Sequence, residues 1–269
     1  MSLLTDRVRG KLARYGGLLR NVVNWPAYLR WKSAGARGAF TFELRDLGTF
    51  TVEGRRLGPF RENLLEEAYY ARLPTAARAL LPEAPIVLDV GANVGYFALD
   101  TFLRYPAAKV YSFEPHPFCI GELHAERARF PQFEWAVDAR ALGEADGALT
   151  LHTTSLSEFS STSGMRPHER HGAAVEVPVV TLDTALAEHG LTWVDYAKID
   201  AEGGEYPLVY GASAEALQSI RVLAVETHED PRPRHNQDEL EGYLRSLGFE
   251  TAPQGYVGET DFLFAWRKG

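Results

Sequence analysis

The chain has 269 residues, 45% hydrophobic and 24% charged, a composition typical of a soluble globular protein with room for one large α/β domain and an appendage. A single cysteine, Cys119, excludes an intramolecular disulfide and a cysteine-based zinc cluster. No run approaches the roughly 18 consecutive apolar residues of a membrane span, and the start lacks a signal-peptide core, so a cytoplasmic setting is the expectation. The net charge of −8 is uneven: residues 1–38 carry eight Lys/Arg against Asp6 alone, a local +7 on a body of −15. An acidic body without a basic stripe argues against nucleic acid as a partner. The basic arm is compatible with an anionic surface, the acidic body itself or a second subunit in a homodimer; the plainer reading is a solvated helical arm packing locally.

In chain order, "LLTDRVRGKLARYGGLLRNVVNWPAYLRWK" has helical character interrupted by Gly16-Gly17 and Pro26, which predicts two or three short helices. "AFTFELRDLGTFTVEG" alternates as strands do and turns near residues 46–48. Residues 1–60 therefore read as an N-terminal extension, a cap or dimer arm, and 61–269 as the main domain. Residues 61–81 are helical ground broken at Pro74. From Ile86 strands and helices alternate: "IVLDV", "KVYSFEP", "FEWAVD", "VDYAKID", "IRVLAVETH" and "FLFAWRK" are the strands. Helices between strands imply parallel pairing through right-handed crossovers, hence an α/β, doubly wound, mainly parallel sheet with its ligand at the carboxyl ends of the strands. An insertion over 148–180 places "ALTLHTT" and "AVEVPVV" around an 18-residue polar segment, a lid or substrate loop unless it is simply disordered.

The turn after the first of these strands, "LDVGANVGYF", lacks the lysine and hydroxyl of a P-loop. Counting from Gly91, the second and third positions of a dinucleotide fingerprint hold Asn93 and Tyr96, which argues against NAD(P). What remains is D-x-G-x-N-x-G. A strand-end acid, Asp89, repels a phosphate but suits a cationic ligand such as S-adenosylmethionine, with Gly91 and Gly95 packing against its methionine part. Glu114 ends the second strand 25 residues later, where an acid accepts both ribose hydroxyls. The plainer reading of such an acid taken alone is a helix cap or an ion-pair partner, and the pairing with Asp89 favours the ligand.

These blocks, with "ALG" and "VTLDTAL…VDYAKIDAEGGEYPLVYGA" followed by "VLAVETH", resemble the FkbM family of class I S-adenosylmethionine-dependent methyltransferases over roughly residues 85–230. The resemblance implies a Rossmann-like seven-stranded fold with S-adenosyl-L-methionine as cofactor. It also implies O-methylation of a hydroxyl on a small molecule, natural product or saccharide. Carried over to the matched motifs, Asp89, Gly91, Ala92, Asn93, Gly95, Glu114 and Pro115 are the implied cofactor residues, with Asp138 for the adenine edge.

"AKIDAEGGEYP" alternates Lys198, Asp200 and Glu202 at a strand end, an arrangement costly in a buried sheet unless the charges face a polar crevice or pair with one another. A hydroxyl acceptor must lose a proton, for which Asp200, Glu202 and His228 are the candidates, with Glu226 orienting His228 or facing the crevice independently and Lys198 holding a carboxylate ionised or polarising the acceptor. A divalent metal on Asp200, Glu202 and Glu205 is the competing mechanism and not the favoured one. His116, His124, His152, His168, His171 and His189 have no ligand spacing; His168 and His171 sit near Arg166 and Arg170 in the long loop, a cluster suited to an anionic acceptor. The alternative class is a non-catalytic accessory subunit that binds a partner or membrane surface through the basic arm; a nicotinamide oxidoreductase is a more distant third reading.

Overall fold

The structure is a computed structural model that describes residues 15–66, 68–153, 160–161, 174–228, 230–254 and 261–268. In chain order the helices are α1 (15–21), α2 (Trp25–Ser33), α3 (Leu57–Phe60) running into a π-helical turn, α4 (Ala68–Ala71), α5 (Thr75–Arg78), α6 (Tyr96–Arg104), α7 (Pro117–Arg129), α8 (Leu182–Glu188), α9 (Glu205–Gly211), α10 (Ala214–Gln218) and α11 (Gln237–Ser246). The strands are β1 (Ala39–Leu44), β2 (Gly48–Glu53), β3 (Ile86–Val90), β4 (Lys109–Phe113), β5 (Glu134–Asp138), β6 (Ala141–Leu142), β7 (Gly147–Thr153), β8 (Ser160–Ser161), β9 (Ala174–Val180), β10 (Val194–Ile199), β11 (Ile220–Thr227), β12 (Glu250–Gln254) and β13 (Asp261–Trp266). The chain divides into two compact units: Met1–Arg72 with Tyr96–Pro106, and Leu73–Gly95 with Ala107–Gly269.

In the first unit β1 and β2 form an antiparallel hairpin whose alternation buries Phe42, Leu44, Phe50 and Val52 on one face. Pro26 starts α2, where its missing N–H costs nothing, and the Asn24 side chain ties that start to β1 by donating to Thr41 O and accepting from Glu43 N–H. Phe42, Phe50, Phe60 and Tyr96 interlock, with ring centroids 4.4 Å apart for Phe42 and Phe60 and 5.4 Å for Phe60 and Tyr96.

The second unit carries a seven-stranded sheet in the order β12-β13-β11-β10-β3-β4-β5. β3, β4, β5, β10 and β11 are parallel, and β13 runs antiparallel to β11 and β12. The chain moves outward from β3 to β5, returns to β10 beside β3, and moves outward again to β11. The switch point therefore lies between β3 and β10, the position where an open α/β sheet leaves a crevice beyond its carboxyl ends. All six residues of β10 are buried, as expected of a central strand covered on both faces. Tyr206, Leu208, Leu240 and Leu244 belong to the core that covers this region. β6, β9, β7 and β8 form a separate four-stranded sheet inserted between β5 and α8, in which β7 and β9 pair antiparallel.

Candidate active site

A cavity of about 440 Å³ opens at the carboxyl ends of β3, β4 and β10. Its wall includes Gly91, Asn93, Glu114, Pro115 and His116 from the first two strand ends, residues 141–151 of the inserted sheet, Asp200 to Glu202 and Arg232. The turn has this shape for steric reasons. Gly91 sits at φ +72, and a Cβ there would lie 1.7 Å from the Asp200 carbonyl oxygen. Asn93 takes φ +51, a left-handed conformation that asparagine tolerates better than most residues, which accounts for asparagine at the middle glycine position. Gly95 is not on the cavity wall; a Cβ there would lie 2.8 Å from Leu123 and the Trp135 ring, so its role is close packing of α7 and β5. Ala92 is buried beneath the turn, its N–H donating to Phe113 O.

Glu114 ties the two strand ends together. Its carboxylate accepts the Asn93 N–H at 2.7 Å and the His116 N–H at 2.8 Å, one on each oxygen. Burial pushes its pKa up to about 7 against the pull of these two donors. His116, which sequence reading passed over, caps α7 by accepting the Phe118 N–H on Nδ1. A neutral ring so held carries its proton on Nε2, and that buried atom makes no hydrogen bond. Burial lowers the His116 pKa and keeps the ring neutral. The signal was the residue's place just after an acidic strand end, where its chain-neighbour Pro115 leads into the next helix.

Asp89 and Lys198 lie below the cavity. They are register partners across β3 and β10, both buried, with Lys198 Nζ 3.5 Å from Asp89 and 3.4 Å from Asp200. Lys198 also donates to the carbonyls of Val90 at 3.2 Å and Gly91 at 2.6 Å. Burial works against the ammonium, but Asp200, Asp89 and Glu226 outweigh it and raise its pKa, so the ammonium stays charged and holds the turn. The expected direct pull of Asp89 on a cationic cofactor does not match this placement: Asp89 is absent from the cavity wall and is bonded by Ser112. Asp138 is also absent from the wall. Burial would raise its pKa, but Arg140, at 2.8 and 2.6 Å, and His189, at 3.1 Å, hold the carboxylate ionised and lower it.

At the carboxyl ends of β10 and β11, Asp200, Glu202, Glu205, Glu226 and His228 come together. Glu205, fully buried at the first turn of α9, accepts the Gly203 N–H at 2.8 Å, the His228 N–H at 2.9 Å and His228 Nδ1 at 3.1 Å. That engagement differs from the metal-ligand role considered for it. Glu202 lines the cavity at φ +48, with an oxygen 3.5 Å from His228 Nε2. Burial opposes the charged form of His228, yet Glu205, Asp200 and Glu202 raise its pKa to about 10, so the ring alone is a cation at neutral pH and not a base. Arg232, also passed over, reaches the wall, with Nε 3.0 Å from the Asp230 carboxylate. Arg166, Arg170, His168 and His171 lie outside the described residues, as does the side chain of His152.

This sheet order, with a glycine turn after its first strand and an acid ending the second, defines a Rossmann-like class I methyltransferase fold. S-adenosylmethionine fits the residues present: a turn with no room for a side chain at Gly91, a strand-end carboxylate with lone pairs to spare, and a buried unpaired donor at His116. The chain belongs to the FkbM methyltransferase family, whose profile, Methyltransferase FkbM domain, matches residues 89–251. It is 30% identical over 201 residues to Methyltransferase sdnD of Sordaria araneosa, covering 64% of this chain and 76% of that protein. It is 28% identical over 207 residues to 31-O-demethyl-FK506 methyltransferase FkbM of Streptomyces tacrolimicus, covering 67% and 76%. With 2-O-methyltransferase NoeI of Sinorhizobium fredii it shares 24% over 241 residues, covering 80% and 96%. A crystal structure of Methyltransferase FkbM from Methylobacillus flagellatus aligns over 98% of this chain and 60% of its own length, with a TM-score of 0.49 and 14% identity. The protein is a methyltransferase and its cofactor is S-adenosylmethionine. Among the described residues no helix is long and apolar enough to cross a membrane.

Proposed function

We propose that this methyltransferase is an O-methyltransferase acting on a hydroxyl of a small molecule, a natural product or a saccharide. The observation that carries this reading is the shared wall: Glu114 and Glu202 line one cavity, so a cofactor held at the first strand ends and a proton acceptor beyond β10 face the same space. Two of the relatives are named for O-methylation, which supports oxygen as the acceptor atom. When bound, the cofactor supplies an electrophilic methyl group on a sulfonium. Glu114 would accept the ribose hydroxyls, Gly91 would let the backbone approach the cofactor closely, and Pro115 and His116 would border the same space. Glu202 would take the proton that the acceptor hydroxyl gives up when its oxygen gains the methyl group and the S–CH3 bonding pair returns to sulfur, leaving S-adenosylhomocysteine. Asp200 and the fixed His228 add charge beside that transfer.

Residues 141–151 of the inserted segment line the same cavity, so they bound the space that an acceptor would enter. The test is transfer of labelled methyl from S-adenosylmethionine to a panel of hydroxylated small molecules and saccharides, matched with amine and thiol analogues. Products confined to the hydroxyl members are expected; products confined to amines would overturn the oxygen assignment.

A further inference from the structure

Asp200, Glu226 and His228 each offer one ligand atom, and these atoms lie within 4.8 Å of one another. They converge because β10 and β11 are adjacent and parallel, which brings residue 200 just past one strand end together with residues 226 and 228 at the other. Glu226 is 8% exposed on a strand whose last six residues are buried. Lys198 pairs with Asp89 and Asp200 and is also stabilised by Glu226, and His228 pairs with Glu202 and Glu205, so the three candidate ligands sit in one polar cluster. The imidazole is also set as a metal ligand would be. Its Nδ1 is held at 3.1 Å by the buried Glu205 carboxylate, which fixes the ring's orientation, and Nε2, 3.5 Å from Glu202, would exchange its proton for the metal.

We propose that Asp200, Glu226 and His228 form a site for a divalent transition cation. Two carboxylates and one imidazole favour Mn²⁺ or Fe²⁺ over Mg²⁺ and Ca²⁺, which prefer all-oxygen shells. Three protein ligands leave coordination positions for water or an acceptor oxygen, and Asp200 on the cavity wall puts the ion within reach of the acceptor. This last consequence rests on the O-methyltransferase reading; the cation site itself does not.

The test is titration of chelator-treated protein with Mn²⁺, read by loss of the free-ion electron paramagnetic resonance signal and by water proton relaxation, with S-adenosylhomocysteine binding measured on the same sample. A saturable site is expected, weakened about tenfold or more in His228→Ala and in Glu226→Gln and kept in Glu202→Gln, and weakened roughly 10- to 100-fold in Glu205→Gln, which acts through His228. Circular dichroism separates lost ligation from lost folding, and Glu226→Gln, nearly isosteric, serves if His228→Ala fails to fold. Absence of saturable Mn²⁺ binding in protein that binds S-adenosylhomocysteine, or binding unchanged by both ligand substitutions, would overturn the proposal and leave the transfer reading standing. Mn²⁺ binding without transfer to any hydroxyl would have the opposite effect.

Discussion

The Asn93 N–H donates to the Glu114 carboxylate at 2.7 Å, so the left-handed turn after β3 and the acid ending β4 are one bonded unit. In the proposed role Glu114 would accept two ribose hydroxyls while it already holds two backbone donors, a task that calls for its charge. Its pKa, raised by burial to about 7, makes that charge pH-dependent. S-adenosylhomocysteine binding should therefore tighten as pH rises through 7 and level off above it. Glu114→Gln should flatten the profile and weaken binding at high pH roughly 10- to 100-fold, as expected for lost charge-assisted bonds. Calorimetric titration across that range decides; a flat wild-type profile would remove Glu114 from the ribose.

The same raised pKa acts on stability with a definite sign. A carboxyl whose folded pKa exceeds its unfolded value stabilises the fold below the ordinary carboxylate range, and that contribution is lost as pH rises through about 7. The cofactor-free wild type should lose stability relative to Glu114→Gln over this interval. Urea unfolding of both proteins at either end of it measures the difference.

Two glycines in one unit should respond oppositely to alanine. At Gly91 a Cβ would meet Asp200 O at 1.7 Å with φ at +72, so Gly91→Ala must displace the turn, costing on the order of 3 kcal/mol and the cofactor site with it. Gly121, inside α7 with nothing within 4 Å of an added methyl, should gain roughly 0.5–1 kcal/mol as alanine. Thermal unfolding with and without S-adenosylhomocysteine distinguishes the two.

What sequence made legible was the frame. Strand-end residues such as Asp89, Glu114 and Asp200 were found because apolar runs ending in acid are visible without contacts. β12 was not, since Pro253 within it argues against a strand; the edge position tolerates that proline. Nor could sequence tell which strand-end acids face the cavity. Asp89 and Lys198 share a motif with wall residues, but β3 and β10 turn them toward each other. His116 and Arg232 were missed although their partners, the Phe118 N–H and Asp230, lie only two residues away, because local spacing does not say which side chains reach the cavity wall.

The buried pair of Asp89 and Lys198 yields a prediction about folding rather than ligand contact. Lys198→Met removes the ammonium from two carbonyls and from Asp89, leaving a buried carboxylate, and should cost about 3–5 kcal/mol. Adding Asp89→Asn should recover part of that loss, giving a coupling energy of the two positions well above the measurement error of a double-mutant cycle. Additive losses would mean that Lys198 acts through the turn carbonyls alone.

Capping and cofactor contact can be separated at His116. Asparagine is a good N-cap, so His116→Asn should keep the start of α7 while deleting the Nε2 donor; His116→Ala loses both. Both substitutions should weaken S-adenosylhomocysteine binding by about 5- to 30-fold, the value of roughly 1–2 kcal/mol for a buried acceptor left without its donor. Only alanine should lower the unfolding midpoint, by an amount matching about 1 kcal/mol of lost capping. Equal binding by asparagine and wild type would mean that His116 serves the helix and not the cofactor, and the unpaired Nε2 would then need another occupant of the cavity.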